Sequence, residues 1–126
     1  MTKHAIDWFE IPTGDFQRAI KFYEAIFQLK LNAMELGNGL KMAMFPVNPM
    51  EAVGGALTHH LDFYKPSKDG TLVYLNADPD LAVVLGRIEG AGGKVVVPKT
   101  QISPEYGFMA VFFDTEGNRV ALHSRT

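Results

Sequence analysis

One apolar spacing occurs twice in this chain, and that repeat limits the folds open to it more than any other feature. From Asp15 onward, Phe16, Ala19, Ile20, Tyr23, Ile26 and Phe27 fall at steps of three and four, which gathers them on one helix face. Sixty-five positions later Leu81, Val84, Leu85, Ile88 and Ala91 repeat the pattern, although not the residues. Asp15 suits the first helix N-terminus, where a carboxylate accepts from exposed backbone N–H groups. Asp78-Pro79 reads as the opening of the second helix, with Pro at the first helical position, and Gly92-Gly93 supplies its left-handed end.

Short aromatic and branched runs surround each helix. Residues 5–11 read as a strand that ends at Pro12, and residues 31–36, 40–45 and 53–58 as three more, with Gly37-Asn38-Gly39 as a tight hairpin between the first two of these. In the second half, residues 71–76 precede the helix, and residues 94–99, 108–114 and 119–124 follow it. The last two are joined by a turn at Thr115-Glu116-Gly117-Asn118. The chain is therefore expected to hold two β-α-β-β-β modules, about 4–58 and 71–126, joined by a linker at 59–70. Neither module can bury a sheet face and a helix face alone, so the two should pack as one α+β domain spanning 1–126, with the helices outside.

Bulk properties narrow the function. With 126 residues, 47% apolar, one core can form. The formal charge of -2 is spread through interspersed Lys and Glu and gives no basic stripe, which argues against nucleic acid or anionic membrane as a partner. There is no Cys, hence no disulfide framework, thiolate metal site or Cys nucleophile. The start MTKHAIDWFEIPTGD lacks a signal-peptide core and no segment is long and apolar enough to span a bilayer, so a cytoplasmic location is expected. Gly90-Ala91-Gly92-Gly93 ends a helix where a phosphate-binding loop would open one, and no nucleophile elbow is present.

Four fragments in order, Asp15-Phe16-x-Arg18-Ala19-x-x-Phe22-Tyr23, Gly92-Gly93-Lys94-Val95, Pro98-Lys99-Thr100 and Asp114-x-x-Gly117-Asn118, resemble the glyoxalase/bleomycin-resistance (vicinal oxygen chelate) superfamily. The resemblance covers nearly the whole chain and is strongest to the branch related to lactoylglutathione lyase. It implies curled sheets forming an open cup, a divalent metal held there by His and Glu, a substrate with adjacent oxygens, and frequent dimerisation.

On the positions where that resemblance would place metal ligands, this chain has Trp8, Leu72, Ala121 and either Gly55 or Ala56. None offers a side-chain donor, so no metal centre of the family type is expected and no cofactor is assigned. Strand alternation then says which side chains share the cup: Trp8 with Glu10, Leu72 with Tyr74 and Asn76, and Ala121 with Arg119 and His123. Glu10, partly desolvated beside Trp8, and His123, near the end of the last strand, are the candidates for proton transfer. An ion pair between Glu10 and Arg119 is the structural alternative. Tyr74 and Asn76 could orient a polar ligand, and Trp8, Met42, Met44 and Phe112 could form a soft wall for a planar one. Residues 100–107 read as a loop over the cup carrying Tyr106, and the linker as either flap or plain connection. His59-His60 with Asp62 looks like a metal tract, but adjacent strand residues face opposite ways.

These residues support a metal-independent small-molecule binding protein, expected to act as a homodimer. A lyase or isomerase using Glu10 and His123 is the alternative, and an interaction subunit whose cup Trp8 fills is the third reading.

Overall fold

The computed structural model describes residues 4–126 and confirms the α+β duplication. The first module runs β1 (Phe9–Pro12), α1 (Phe16–Phe27), β2 (Asn32–Gly37), β3 (Leu40–Met44) and β4 (Gly55–His59). The second runs β5 (Tyr74–Asn76), α2 (Leu81–Ile88), β6 (Lys94–Ser103), β7 (Gly107–Phe113) and β8 (Arg119–Ser124). Each makes a four-stranded sheet with the same topology, β1-β4-β3-β2 and β5-β8-β7-β6, in which the first strand joins the last in parallel and the others are antiparallel.

Helix α1 forms where its spacing predicts, with Asp15 accepting from the Arg18 backbone N–H at 3.0 Å. It buries Phe16, Ala19, Ile20, Phe22, Tyr23 and Ile26. The turn after β2 takes three successive positive φ values, 89°, 56° and 80° at Gly37, Asn38 and Gly39, which Gly and Asn tolerate best.

Several boundaries move: β4 spans Gly55–His59 where 53–58 is expected, and β5 begins at Tyr74 where residue 71 is expected. β1 begins at Phe9 instead of residue 5, because its partner β4 begins at Gly55, opposite Phe9, and residues before it have no strand to pair with. Pro12 is inside this edge strand, where a missing N–H costs no ladder bond. Helix α2 is capped by Asp80, which accepts from Ala82 N–H at 2.9 Å, and Pro79 lies outside it after a cis peptide. The segment at 100–107 is not a loop: residues up to Ser103 extend β6 against β7 with three register shifts, leaving only a hairpin tip.

The modules are locked through the helices and the β7–β8 turn. Glu116, its side chain fully covered, accepts from Gly14 and Asp15 N–H and from Arg18. Tyr23 donates to buried Asp114 at 2.7 Å, and Phe22 packs on Phe112 at 6.0 Å. Asn118 completes the lock: its amide donates to Asp114 and to the Pro12 carbonyl, and its oxygen accepts from Ser67 N–H in the linker. Burial raises the Asp114 carboxyl above the ordinary value against the pull of its four donors, and burial raises the Tyr23 hydroxyl further still. Burial also pushes Glu116 upward, but the bonds from Arg18, Asp15 and Thr115 carry it below the ordinary value.

Candidate ligand-binding cup

Register assigns the two faces of each sheet. Phe9, opposite Gly55, and Ile11, opposite Leu57, lie on the helix side; an added Cβ at Gly55 would stand 2.3 Å from the Phe9 ring. Glu10 is opposite Ala56, Ala56 opposite Met44, and Met42 opposite both Met34 and Thr58, so these share the other face with Trp8. In the second sheet Tyr74 is opposite Ala121, Asn76 opposite His123, and His123 opposite Met109. The cup faces expected from alternation are therefore the ones the strands build, and Ala56, not Gly55, fills the fourth family position.

Phe112 does not belong to the cup. It is opposite Val120, is fully buried and faces the helices; the cup positions of β7 are Met109, Val111 and Phe113.

Glu10 is held from two directions. Tyr64 donates to one carboxylate oxygen at 2.6 Å and Trp8 Nε1 to the other at 3.3 Å. That bond to Glu10, with burial and the carboxylate's charge behind it, raises the Tyr64 hydroxyl above its ordinary value. Arg119 does not pair with Glu10; it donates to the Gly70 carbonyl at 3.3 Å. Linker residues 64–70 thus cross a cleft of about 370 Å³ that Trp8, Glu10, Lys65, Ser67, Thr71 and Arg119 help to line. The linker is a strap as well as a connection. Its role through Tyr64 was invisible in the sequence, where a lone Tyr in a polar segment carries no signal of its partner.

His123 donates through Nε2 to the Tyr106 carbonyl at 2.6 Å, and the Tyr106 ring stands exposed at the β6–β7 tip. His123 is on β8 and Glu10 on β1, so the structure puts the two proton-transfer candidates on different sheets. Trp8 and Tyr74 present exposed rings, Asn76 is also exposed, and Met42 and Met44 are half-buried. Thr58, on the same face, is fully covered and its hydroxyl has no partner among the described residues.

The two histidines at the end of β4 do different work. His59 meets the Thr13 carbonyl at 3.0 Å through Nδ1, and His60 meets the Asn38 carbonyl at 2.9 Å through Nε2 while its other nitrogen accepts from Asp62 N–H. They fasten turns. Among the described residues no three His, Asp or Glu side chains converge on one point. The four family positions, Trp8, Ala56, Leu72 and Ala121, offer carbon and an indole N–H, a donor set that does not fit a divalent metal. Among the described residues no helix is long and apolar enough to cross a membrane.

Comparison with known proteins agrees with this architecture. The profile of the Glyoxalase/Bleomycin resistance protein/Dioxygenase superfamily matches residues 5–122. A glyoxylase-like domain-containing protein of Didymella fabae is 31% identical, over 95% of this chain and 93% of that one. Glyoxalase I of Zea mays superposes with a TM-score of 0.73 at 21% identity over 94% of this chain, which spans 45% of the maize chain. An antibiotic binding protein, TnmS3 of Streptomyces, superposes with a TM-score of 0.68 at 25% identity over 100% of this chain and 99% of its own. With its duplicated modules, its sheet topology and a profile match over nearly its whole length, this chain belongs to the Glyoxalase/Bleomycin resistance protein/Dioxygenase superfamily.

Proposed function

We propose that this protein binds a small molecule in its cup without a metal, and that it works as a cytoplasmic homodimer. The observation that carries the reading is the exchange of side chains at the family positions, where an indole, a methyl, an isobutyl and another methyl replace metal ligands. Around them stand the elements of an organic binding surface: the rings of Trp8 and Tyr74, the thioethers of Met42 and Met44, and polar groups on Asn76, Tyr106 and Arg119. Glu10 would orient a donor on the ligand while Tyr64 holds its carboxylate. The likeness to an antibiotic binding protein, over the full length of both chains, supports the same choice.

Trp8 is the single tryptophan, so its emission reports ligand entry directly. A library of aromatic, oxygen-rich compounds screened by thermal shift should yield binders that raise the melting temperature and change Trp8 emission. Arg119→Ala and Tyr74→Ala should weaken them. Stoichiometric zinc, nickel or manganese in the purified protein, lost on Glu10→Gln or His123→Ala, would overturn the metal-free reading. A lyase or isomerase reading requires Glu10 and His123 to act on one substrate, and turnover abolished by either substitution would replace binding with catalysis.

A further inference from the structure

Beside the cup cleft, and sharing Leu72, Tyr74 and Asn76 with the cup wall, lies a second chamber of about 560 Å³, within the ~300–1,000 Å³ usual for small-molecule sites. Phe9, Phe27, Leu29, Phe45, Val73 and Leu75 supply much of its wall. Phe45 is the centre of an aromatic cluster, 5.7 Å from Phe9, 5.9 Å from Tyr23 and 6.5 Å from Phe27. Gly55 has no side chain because the Phe9 ring occupies that space. Among the described residues, no acidic or basic side chain lines the chamber.

Its polar groups come from a strand edge. β5 bonds β8 through alternate residues, as the bonds from Ala121 N–H to the Val73 carbonyl and from Ala77 N–H to the His123 carbonyl show. In a parallel ladder the intervening residues point their N–H and C=O the other way. Tyr74 and Asn76, both in the lining, therefore turn backbone donors and acceptors toward the edge that has no strand partner. Water in such a space would meet mostly hydrocarbon, and a charged ligand would lose its hydration with no counter-charge to replace it. An uncharged aromatic or alicyclic molecule loses nothing by entering and gains apolar burial at roughly 25 cal/mol per Å².

We propose that this chamber, which adjoins the cup cleft, is a binding site for an uncharged and mainly apolar small molecule that makes one or two hydrogen bonds to the free edge of β5.

N-phenyl-1-naphthylamine, uncharged and fluorescent in apolar surroundings, is the probe. The full chain should bind it saturably at one site, with a blue-shifted emission and a raised melting temperature. Val47 lines the chamber and is 42% exposed, so Val47→Trp obstructs the space without entering the core. Val53→Trp does so from the approach to β4. Each should weaken the probe at least tenfold while circular dichroism and melting stay as in the parent. Glu10→Gln and Arg119→Ala, which alter the cup cleft, should leave probe affinity within twofold; this separates failure of the chamber from failure of the cup. Three results would overturn the proposal: no saturable binding, undiminished binding in both folded tryptophan variants, or binding lost in Arg119→Ala alone. A parent dimer that Val47→Trp dissociates, with the probe bound by neither, would give the chamber to a second copy and overturn it as well.

Discussion

Removing the Glu116 carboxylate tests whether the two modules are fastened where the structure places the fastening. Its two oxygens take five hydrogen bonds: from Gly14 N–H at 2.9 Å, Asp15 N–H at 2.6 Å, Arg18 at 2.8 and 3.1 Å, and the Thr115 hydroxyl at 2.8 Å. The first two donors lie at the N-terminal approach to α1, where a negative charge is favoured. A bond to a charged group contributes about 1.5–3 kcal/mol, but five such values cannot be added because the carboxylate is desolvated only once. Loss of one partner of a buried pair costs about 3–5 kcal/mol, and Arg18 must be discounted because its side chain is 54% exposed and regains water. Glu116→Ala should therefore cost about 2–4 kcal/mol. At about 2.1 cal/mol/K per residue, the unfolding entropy of 126 residues makes each kcal/mol worth about 4 °C, so the melting temperature should fall by roughly 8–15 °C. Glu116→Gln keeps the shape and the acceptor toward Gly14 and Asp15, but turns an amide N–H₂ toward Arg18, and should cost about half as much. The pH dependence has a fixed sign. Because the folded carboxyl lies below its ordinary value, its stabilisation is complete above the ordinary glutamate range and disappears as pH falls through the depressed value. The gap between parent and Glu116→Gln, followed by calorimetry, should narrow with acid in that window. A Glu116→Ala protein melting within about 2 °C of the parent would refute the account of the module lock.

Tyr23→Phe removes one of four donors to Asp114 and should cost about 1–2 kcal/mol at neutral pH by denaturant titration. Because the Asp114 carboxyl is raised in the fold, it is a charge the folded state holds unwillingly; protonation relieves the lost bond, so the deficit should shrink as pH falls through that raised value, and a constant deficit would contradict it. Gly55→Ala puts a methyl 2.3 Å from the Phe9 ring and should cost about 1–3 kcal/mol, together with any binding in the chamber that the ring walls. Tyr64→Phe frees Glu10 from the strap while leaving Ser67 tied to Asn118. It should change global stability by less than about 1 kcal/mol yet speed amide exchange across residues 60–66, and unchanged exchange would mean that the strap is held elsewhere.

What was legible in the sequence divides by the range of the interaction. The helices and most strands follow from spacing, because a face of Phe16, Ala19, Ile20 and Tyr23 forms wherever 3.6-residue periodicity meets a core. The cup faces follow too, because alternation is local and the register preserves it; only Phe112 was assigned to the wrong side. Partners across the chain were not legible. Spacing cannot say that Tyr64 reaches back to Glu10, that Arg119 turns to Gly70, or that β6 runs on to Ser103, because these depend on which backbone groups face each other after the modules close. The same distinction explains the family fragments. Asp15, which caps α1, and Arg18 and Tyr23 within it contact Glu116 and Asp114, and Asn118 joins that turn to Pro12 and Ser67. The α1 and β7–β8 fragments by which the sequence resembles its superfamily are thus the ones that hold two modules together, and none of the four family metal positions lies in them. A chain can therefore keep every one of these marks while replacing all four metal positions, so the resemblance carries the fold and the cup residues must be read independently for chemistry.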